Sequence, residues 1–281
     1  MAAALLLPSA ATQATPAKAP VVYVALGDSF SAGAGIQPQS GGDTGTICLQ
    51  SAVNYPHLVA KALGAVRFTD VTCGAATSRN LTGTQFDVSG PARPPQFDAL
   101  TSDTTLVTLG IGGNDIGLVE LAASCINPLP EPLGRSCAAA NNAGGRDLVG
   151  QRIRAFVPTY AAILREIHRR APRARTLLVG YPTAIRRNGC PGVQPAWPAD
   201  ADYVQAKIDQ LNGVMAAQAA AHGVTFVSLT EATRGHDACA DLDRRWMVGV
   251  VPASADAPIP LHPNAAGHRN TARQVLAALS Q

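Results

Sequence analysis

Apolar and polar positions alternate along this chain in two patterns. Short apolar, often β-branched runs end in glycine or small polar residues. Longer stretches place apolar side chains every three or four positions. The first short run, Val21 to Leu26, stops at Gly27-Asp28-Ser29, which reads as a buried strand feeding a capped turn. Ala65–Val71, Thr104–Leu109, Thr176–Gly180 and Val224–Leu229 read as further strands. Helical spacing predicts helices over Tyr55–Leu63, Ile116–Ala123, Arg146–Arg170, Asp202–His222 and Asn264 to about Leu279. Gly64 and Gly223 supply natural stops. Phe97–Leu100 fits a short helical turn, and Pro158 predicts a kink in the long helix.

Strands that alternate with helices predict an α/β fold, a three-layer α/β/α arrangement around a five-stranded parallel sheet. Right-handed crossovers favour the flavodoxin-like order 2-1-3-4-5. The polar or irregular stretches Gly33–Gly45, Asn127–Gly145, Tyr181–Ala199 and Glu231–Pro260 follow strand ends, where a substrate cleft would be built. No repeat or composition break divides residues 21–281, which read as one domain. Residues 1–20 differ. An apolar start is followed by an Ala/Pro/Thr/Ser-rich stretch with small-residue sites at Ser9-Ala10-Ala11 and Ala17-Lys18-Ala19. This looks like a signal-peptide remnant without its positive front, or a disordered leader, and is set apart from the fold.

Composition narrows the function. With 281 residues, 47% hydrophobic and 15% charged, the chain can bury a sizeable core. A net charge of +3, with basic residues clustered only in pairs such as Arg169-Arg170, Arg186-Arg187 and Arg244-Arg245, argues against nucleic acid. No apolar run approaches the roughly 20 residues of a membrane span, so stable membrane insertion is not expected. Gly33-Ala34-Gly35 lacks a third glycine at the dinucleotide-binding spacing and no Walker lysine follows a glycine loop, so no cofactor is expected. The six cysteines, Cys48, Cys73, Cys125, Cys137, Cys190 and Cys239, contain no Cys-x-x-Cys. They favour disulfides in an exported protein over a metal site. Nearest-neighbour pairing, Cys48–Cys73, Cys125–Cys137 and Cys190–Cys239, is the simplest of the pairings open to them.

Three turns at strand ends carry the candidate chemistry. Ser29 follows the first strand, Gly74 the second and Asn114 the third, and a 2-1-3 order makes them neighbours. Ester hydrolysis needs a nucleophile, a base and donors aimed at a developing oxyanion. Ser29 supplies a hydroxyl; the Ser29 and Gly74 N–H groups and the Asn114 amide supply donors. The Gly112-Gly113-Asn114-Asp115 stretch fits a simple turn equally well. Of six histidines, His168 and His222 fall at helix ends, His57 and His268 on helix faces, and His236 in an irregular loop. His262 stands out, because Pro263 holds it in a loop just before the last helix.

Gly27-Asp28-Ser29-Phe30-Ser31-Ala32-Gly33, Gly112-Gly113-Asn114-Asp115 and His262-Pro263-Asn264-Ala265-Ala266-Gly267-His268 together resemble the ordered blocks of the SGNH hydrolases, also called GDSL lipases/esterases. With the six cysteines, the chain looks like their secreted actinobacterial branch, whose members are lipases, esterases and phospholipases with three disulfides. The resemblance implies Ser29 as nucleophile, His262 as base, and Ser29, Gly74 and Asn114 as the oxyanion hole. Two positions depart from the family pattern. Ile259 stands three residues before His262, where the family usually has Asp, so the carbonyl of Ile259 or Pro260 is expected to orient the imidazole, with Asp256 as rival. Ala75 follows Gly74, and a one-residue register slip would bring the Ala75 N–H into use instead.

The sequence therefore predicts a secreted carboxylic ester hydrolase, monomeric and needing no metal, acting on an ester or lipid. A phospholipase or carbohydrate deacetylase on the same fold, or a silent secreted binding protein, are the rival readings. No aliphatic cluster in the loops marks a deep lipid groove.

Overall fold

The computed structural model describes residues 19–40, 48–86, 92–251 and 259–281. Apart from Ala19 and Pro20, the leader expected over residues 1–20 lies outside the described residues. The strands are β1 (Val22–Gly27), β2 (Arg67–Asp70), β3 (Leu106–Gly110), β4 (Arg175–Val179) and β5 (Thr225–Val227). They pair in parallel in the order β2-β1-β3-β4-β5, as the sequence predicts. The helices are α1 (Ser29–Ala32), α2 (Tyr55–Leu63), α3 (Arg79–Thr82), α4 (Gly113–Ile116), α5 (Leu118–Ser124), α6 (Cys137–Asn141), α7 (Leu148–Arg170), α8 (Pro198–Ala221) and α9 (Ala265–Leu279).

The apolar strand runs are continuous because both sheet faces are covered. In β1, Val24 and Leu26 face a core shared with Ile153, Tyr160 and Ile167 of α7 and Ile208 and Leu211 of α8. Tyr23 and Ala25 point the other way, towards Tyr55 and Val59 of α2 and Val275 of α9. The same alternation sends Val107 and Leu109 of β3 to the first core and Leu106 to the second. Asn54, Asp147 and Asn264 cap α2, α7 and α9, each side chain accepting an N–H from the first turn.

Element boundaries depart from the sequence reading where local chemistry overrides periodicity. The helix expected over Ile116–Ala123 begins earlier, at Gly113, and Gly117 (φ 73°) divides it into α4 and α5. Helix α8 starts at Pro198, not Asp202, because proline suits a first turn whose N–H has no helical partner. The loop expected over Asn127–Gly145 contains α6. Pro158 lies inside α7 without ending it.

Three disulfides, Cys48–Cys73, Cys125–Cys137 and Cys190–Cys239, join cysteines that are consecutive in sequence. Cys73, Cys190 and Cys239 follow β2, β4 and β5, so two of the bridges staple loops at the carboxyl edge of the sheet. No helix among the described residues is long and apolar enough to cross a membrane.

Candidate active site

The turn after β1 is held by a close backbone approach. Gly27 lies opposite Gly110 of β3 with φ 150°, and a Cβ there would come within 2.5 Å of the Gly110 carbonyl oxygen, so only glycine fits. Buried Gln96 clamps the same residue, accepting from Gly27 N–H (2.8 Å) and donating to its carbonyl (3.0 Å). Asp28 donates its N–H to the Gly110 carbonyl at 2.9 Å. Its carboxyl caps α1, accepting from Phe30 N–H (2.9 Å), and accepts from the Tyr181 hydroxyl (2.6 Å). That hydroxyl in turn accepts from Gly113 N–H at 2.7 Å. Tyr181 thus ties the serine turn to the asparagine turn. Burial pushes the Asp28 carboxyl up to about 7, against the opposing effect of the Tyr181 and Phe30 hydrogen bonds. Ser29 is the first residue of α1, so its N–H has no helical partner.

His262 comes to this turn from the far end of the chain. Its Nε2 lies 2.7 Å from Ser29 Oγ, and its Nδ1 lies 2.9 Å from the Pro260 carbonyl. The carbonyl only accepts, so Nδ1 carries the proton and Nε2 is left to accept from the serine. Of the two carbonyls expected to orient this ring, Pro260 is the one in hydrogen-bond contact. Asp256, the rival, lies outside the described residues. The loop is fixed by a short antiparallel ladder: Val248 N–H donates to the His262 carbonyl (2.9 Å) and Leu261 N–H to the Val248 carbonyl (3.0 Å). The Phe30 ring packs 4.9 Å from the imidazole. Burial holds the His262 pKa below the ordinary histidine range, partly opposed by the Pro260 carbonyl.

The other turns supply hydrogen-bond donors. Gly74 N–H is already engaged, donating to the Cys48 carbonyl at 3.0 Å. The next residue, Ala75, has left-handed backbone (φ 58°), unusual for a residue with a Cβ, and its N–H makes no hydrogen bond among the described residues. The Asn114 amide donates one hydrogen to the Ala76 carbonyl (2.8 Å), which leaves its second hydrogen free of that bond. Asp115 accepts from both the N–H and the hydroxyl of Ser78, fastening the second and third turns together.

Four of the five remaining histidines are engaged elsewhere. His57 Nδ1 meets Asn54 at 2.8 Å, His222 Nδ1 meets the Gln218 carbonyl at 2.9 Å, and His236 stacks on Trp246 with ring centroids 3.5 Å apart. Buried His268 accepts from Tyr55 N–H (3.1 Å), and burial lowers its pKa to about 3, which keeps it neutral.

Beside the Ser29–His262 pair opens an apolar groove of about 760 Å³, its open mouth included. Phe30 and Leu261, the chain neighbours of Ser29 and His262, line it together with Leu118, Ile126, Val204 and Met247. No aliphatic cluster in the sequence marks this groove, and the fold assembles it. Its walls combine short stretches that are distant in sequence, around 118–126, 181–185, 194–196, 201–208 and 247–250. Tyr181 and Gln96 were also missed, because each acts across the sheet and neither stands in a motif.

The description GDSL-like lipase/acylhydrolase matches residues 25–269. The chain is 35% identical over 281 residues to Lipase 2 of Streptomyces coelicolor, covering 98% of this chain and 92% of that one. It is 31% identical over 219 residues to a lipase of Streptomyces rimosus, covering 77% and 73%. Among solved structures, a phospholipase A1 from Streptomyces albidoflavus superposes with TM-score 0.73 at 26% identity, over 93% of this chain and 99% of that one. An extracellular lipase from Streptomyces rimosus superposes with TM-score 0.70 at 26% identity, over 92% and 99%. With this match spanning nearly all of the described fold, the chain is a carboxylic ester hydrolase that belongs to the GDSL-like lipase/acylhydrolase family.

Proposed function

We propose that the protein hydrolyses esters of apolar acyl chains through a Ser29–His262 dyad and an acyl-enzyme. The observation that carries this reading is the 2.7 Å contact between Ser29 Oγ and His262 Nε2, whose chain neighbours Phe30 and Leu261 line the apolar groove. His262 takes the hydroxyl proton as Ser29 Oγ attacks the ester carbonyl. Ser29 N–H, the second Asn114 amide hydrogen and Ala75 N–H hold the oxyanion. Ala75 replaces Gly74 in this role because the Gly74 N–H is committed to Cys48. The alcohol leaves with the proton from His262. Water then gives a proton to His262 and its oxygen to the acyl carbon, and collapse of the second oxyanion frees Ser29 and the acid.

A backbone carbonyl suffices to orient the base. Losing the acid of a triad costs about 10⁴-fold in kcat chiefly because the imidazole takes the wrong tautomer. Here the Pro260 carbonyl sets the tautomer. What it lacks is charge, and a neutral hydrogen bond contributes about 0.5–1.5 kcal/mol against about 1.5–3 for one to a charged group. That difference amounts to roughly tenfold in rate. Asp256→Asn should therefore change kcat less than about threefold. A fall near 10⁴-fold would make Asp256 the acid of a triad.

The pH profile tests the base. Only neutral His262 can accept the Ser29 proton, and its depressed pKa keeps it neutral to lower pH. The acid limb of kcat/KM on a soluble ester should fall below the ordinary histidine value of about 6.5. A limb above that value would contradict the buried neutral imidazole. Repeating the profile with Asp28→Asn separates any contribution from the nearby carboxyl that titrates at about 7.

The apolar groove supports long acyl chains as substrates, as do relatives named lipase and phospholipase A1. Comparing acetate, octanoate and palmitate esters with a phospholipid would rank them; a preference for acetate alone would oppose this reading. We also propose that residues 21–281 act as one exported monomeric domain after a processed leader, a reading supported by three disulfides that persist in oxidising compartments.

A further inference from the structure

We propose that Gln85 is a positioning residue of the oxyanion hole, holding the Gly74–Ala75 peptide in the orientation that presents Ala75 N–H to the substrate. The inference rests on the reading of Ala75 as an oxyanion donor and adds what keeps that donor in place.

Cys73-Gly74-Ala75-Ala76 form a turn closed by Ala76 N–H, which donates to the Cys73 carbonyl at 3.2 Å. The third residue, Ala75, is left-handed (φ 58°), while Gly74 is not. This is the pattern of a type II turn, whose third position favours glycine. A type I turn differs from it chiefly by a half-rotation of the central peptide, and its third residue has the negative φ that suits alanine. A trans peptide is planar, so its carbonyl oxygen and its N–H point in opposite directions. Rotating the Gly74–Ala75 peptide would therefore relieve the strained φ of Ala75. It would also put the Gly74 carbonyl oxygen where Ala75 N–H stands, and an oxygen there repels a developing oxyanion.

The chain thus has alanine where the turn favours glycine, and the less stable turn has to be held. Gln85 Nε2 donates to the Gly74 carbonyl at 2.7 Å; the carbonyl only accepts, which assigns the amide nitrogen to that side. Gln85 is 7% exposed. Its backbone is fixed by a reciprocal pair of bonds, Gln85 N–H to the Arg93 carbonyl (2.9 Å) and Arg93 N–H to the Gln85 carbonyl (2.8 Å). The other peptides of the turn are pinned separately. Cys73 N–H donates to the Gly27 carbonyl (3.0 Å), Gly74 N–H to the Cys48 carbonyl (3.0 Å), and the Asn114 amide to the Ala76 carbonyl (2.8 Å). None of these bonds restrains the central peptide. Among the described residues, the bond on that peptide is the one from Gln85. Ala75 is exposed, so packing around its methyl group does not oppose the rotation.

The test removes the donor and keeps its bulk, as Gln85→Met, assayed on a soluble butyrate ester. A buried hydrogen bond of this kind favours the held turn by about tenfold, so kcat should fall about tenfold. KM should stay at the parent's value, because the oxyanion exists only in the transition state. A trifluoromethyl ketone, whose adduct with Ser29 carries an oxyanion, should inhibit about tenfold more weakly. Glycine at position 75 takes either turn without strain. Adding Gln85→Met to Ala75→Gly should therefore lower kcat by no more than about threefold relative to Ala75→Gly alone. A residue that only supports the fold would cost the same factor in both backgrounds. Equal losses in the two backgrounds, a loss confined to KM, or a Gln85→Met enzyme with the parent's kcat and ketone affinity would overturn the proposal. If Gln85→Met unfolds, recovery of folding by Ala75→Gly supports the held turn, and unfolding in both backgrounds overturns it. Failure of the ester chemistry would show separately, as a parent that leaves the butyrate ester untouched.

Discussion

Ser29→Ala should lower kcat on a soluble ester by about 10⁶-fold, the scale on which removing a serine nucleophile acts in comparable dyads and triads. Among the described residues, the other groups placed against His262 are the Phe30 ring and the Pro260 carbonyl, neither of which can attack, so the loss should be this large. The fold should survive. Among the described residues the hydroxyl's hydrogen bond is to His262, and deleting it costs about 1 kcal/mol at a buried site. Thermal unfolding and disulfide content should match the parent. Residual turnover above about 1% of the parent would remove Ser29 from the reaction.

Asn114→Ala should cause a smaller but still large loss. One oxyanion donor contributes about 10²–10³ in kcat. The change should fall on kcat and leave KM close to the parent's, because the oxyanion exists only in the transition state and not in the bound ester. Part of the loss will come from the Ala76 carbonyl, which gives up its bond from the Asn114 amide and lets the second turn relax. Ala75→Gly separates these contributions. The left-handed backbone at Ala75 suits glycine, so this variant should keep or slightly raise activity and stability. An Asn114→Ala enzyme within threefold of the parent would take the amide out of the oxyanion hole.

What the sequence revealed here follows a physical division. Strands β1 and β3 were legible because burial on both faces makes their runs almost wholly apolar, with Thr108 of β3 the exception, its hydroxyl bonded to that of Tyr23. Strand β2 is an edge strand with exposed Arg67 and half-buried Phe68, Thr69 and Asp70, and only part of the run read over Ala65–Val71 pairs with β1. Ser29, Asn114 and His262 were legible because each sits in a short stretch where glycine, a cap or a proline leaves a local trace. The Asp28–Tyr181–Gly113 connection left none. Tyr181 follows β4, two strands from β1 in the sheet, and reaches Asp28 only through the folded topology. The choice between Gly74 and Ala75 also required the fold. Sequence favours the glycine, but the Cys48 carbonyl occupies its N–H, and that carbonyl is brought there by the Cys48–Cys73 bridge. The groove was invisible for a similar reason: the stretch around Leu118–Ile126, Val204 and Met247 are distant in sequence, and nothing local distinguishes them from core residues.

The most direct test of the central claim is covalent. The purified, fully oxidised protein is treated with a fluorescent phosphonate ester, and the labelled residue is mapped by mass spectrometry. If His262 activates Ser29 from the 2.7 Å contact, the label will sit on Ser29 and disappear in His262→Ala. A label on another residue, or Ser29 labelled equally well without His262, would contradict the account.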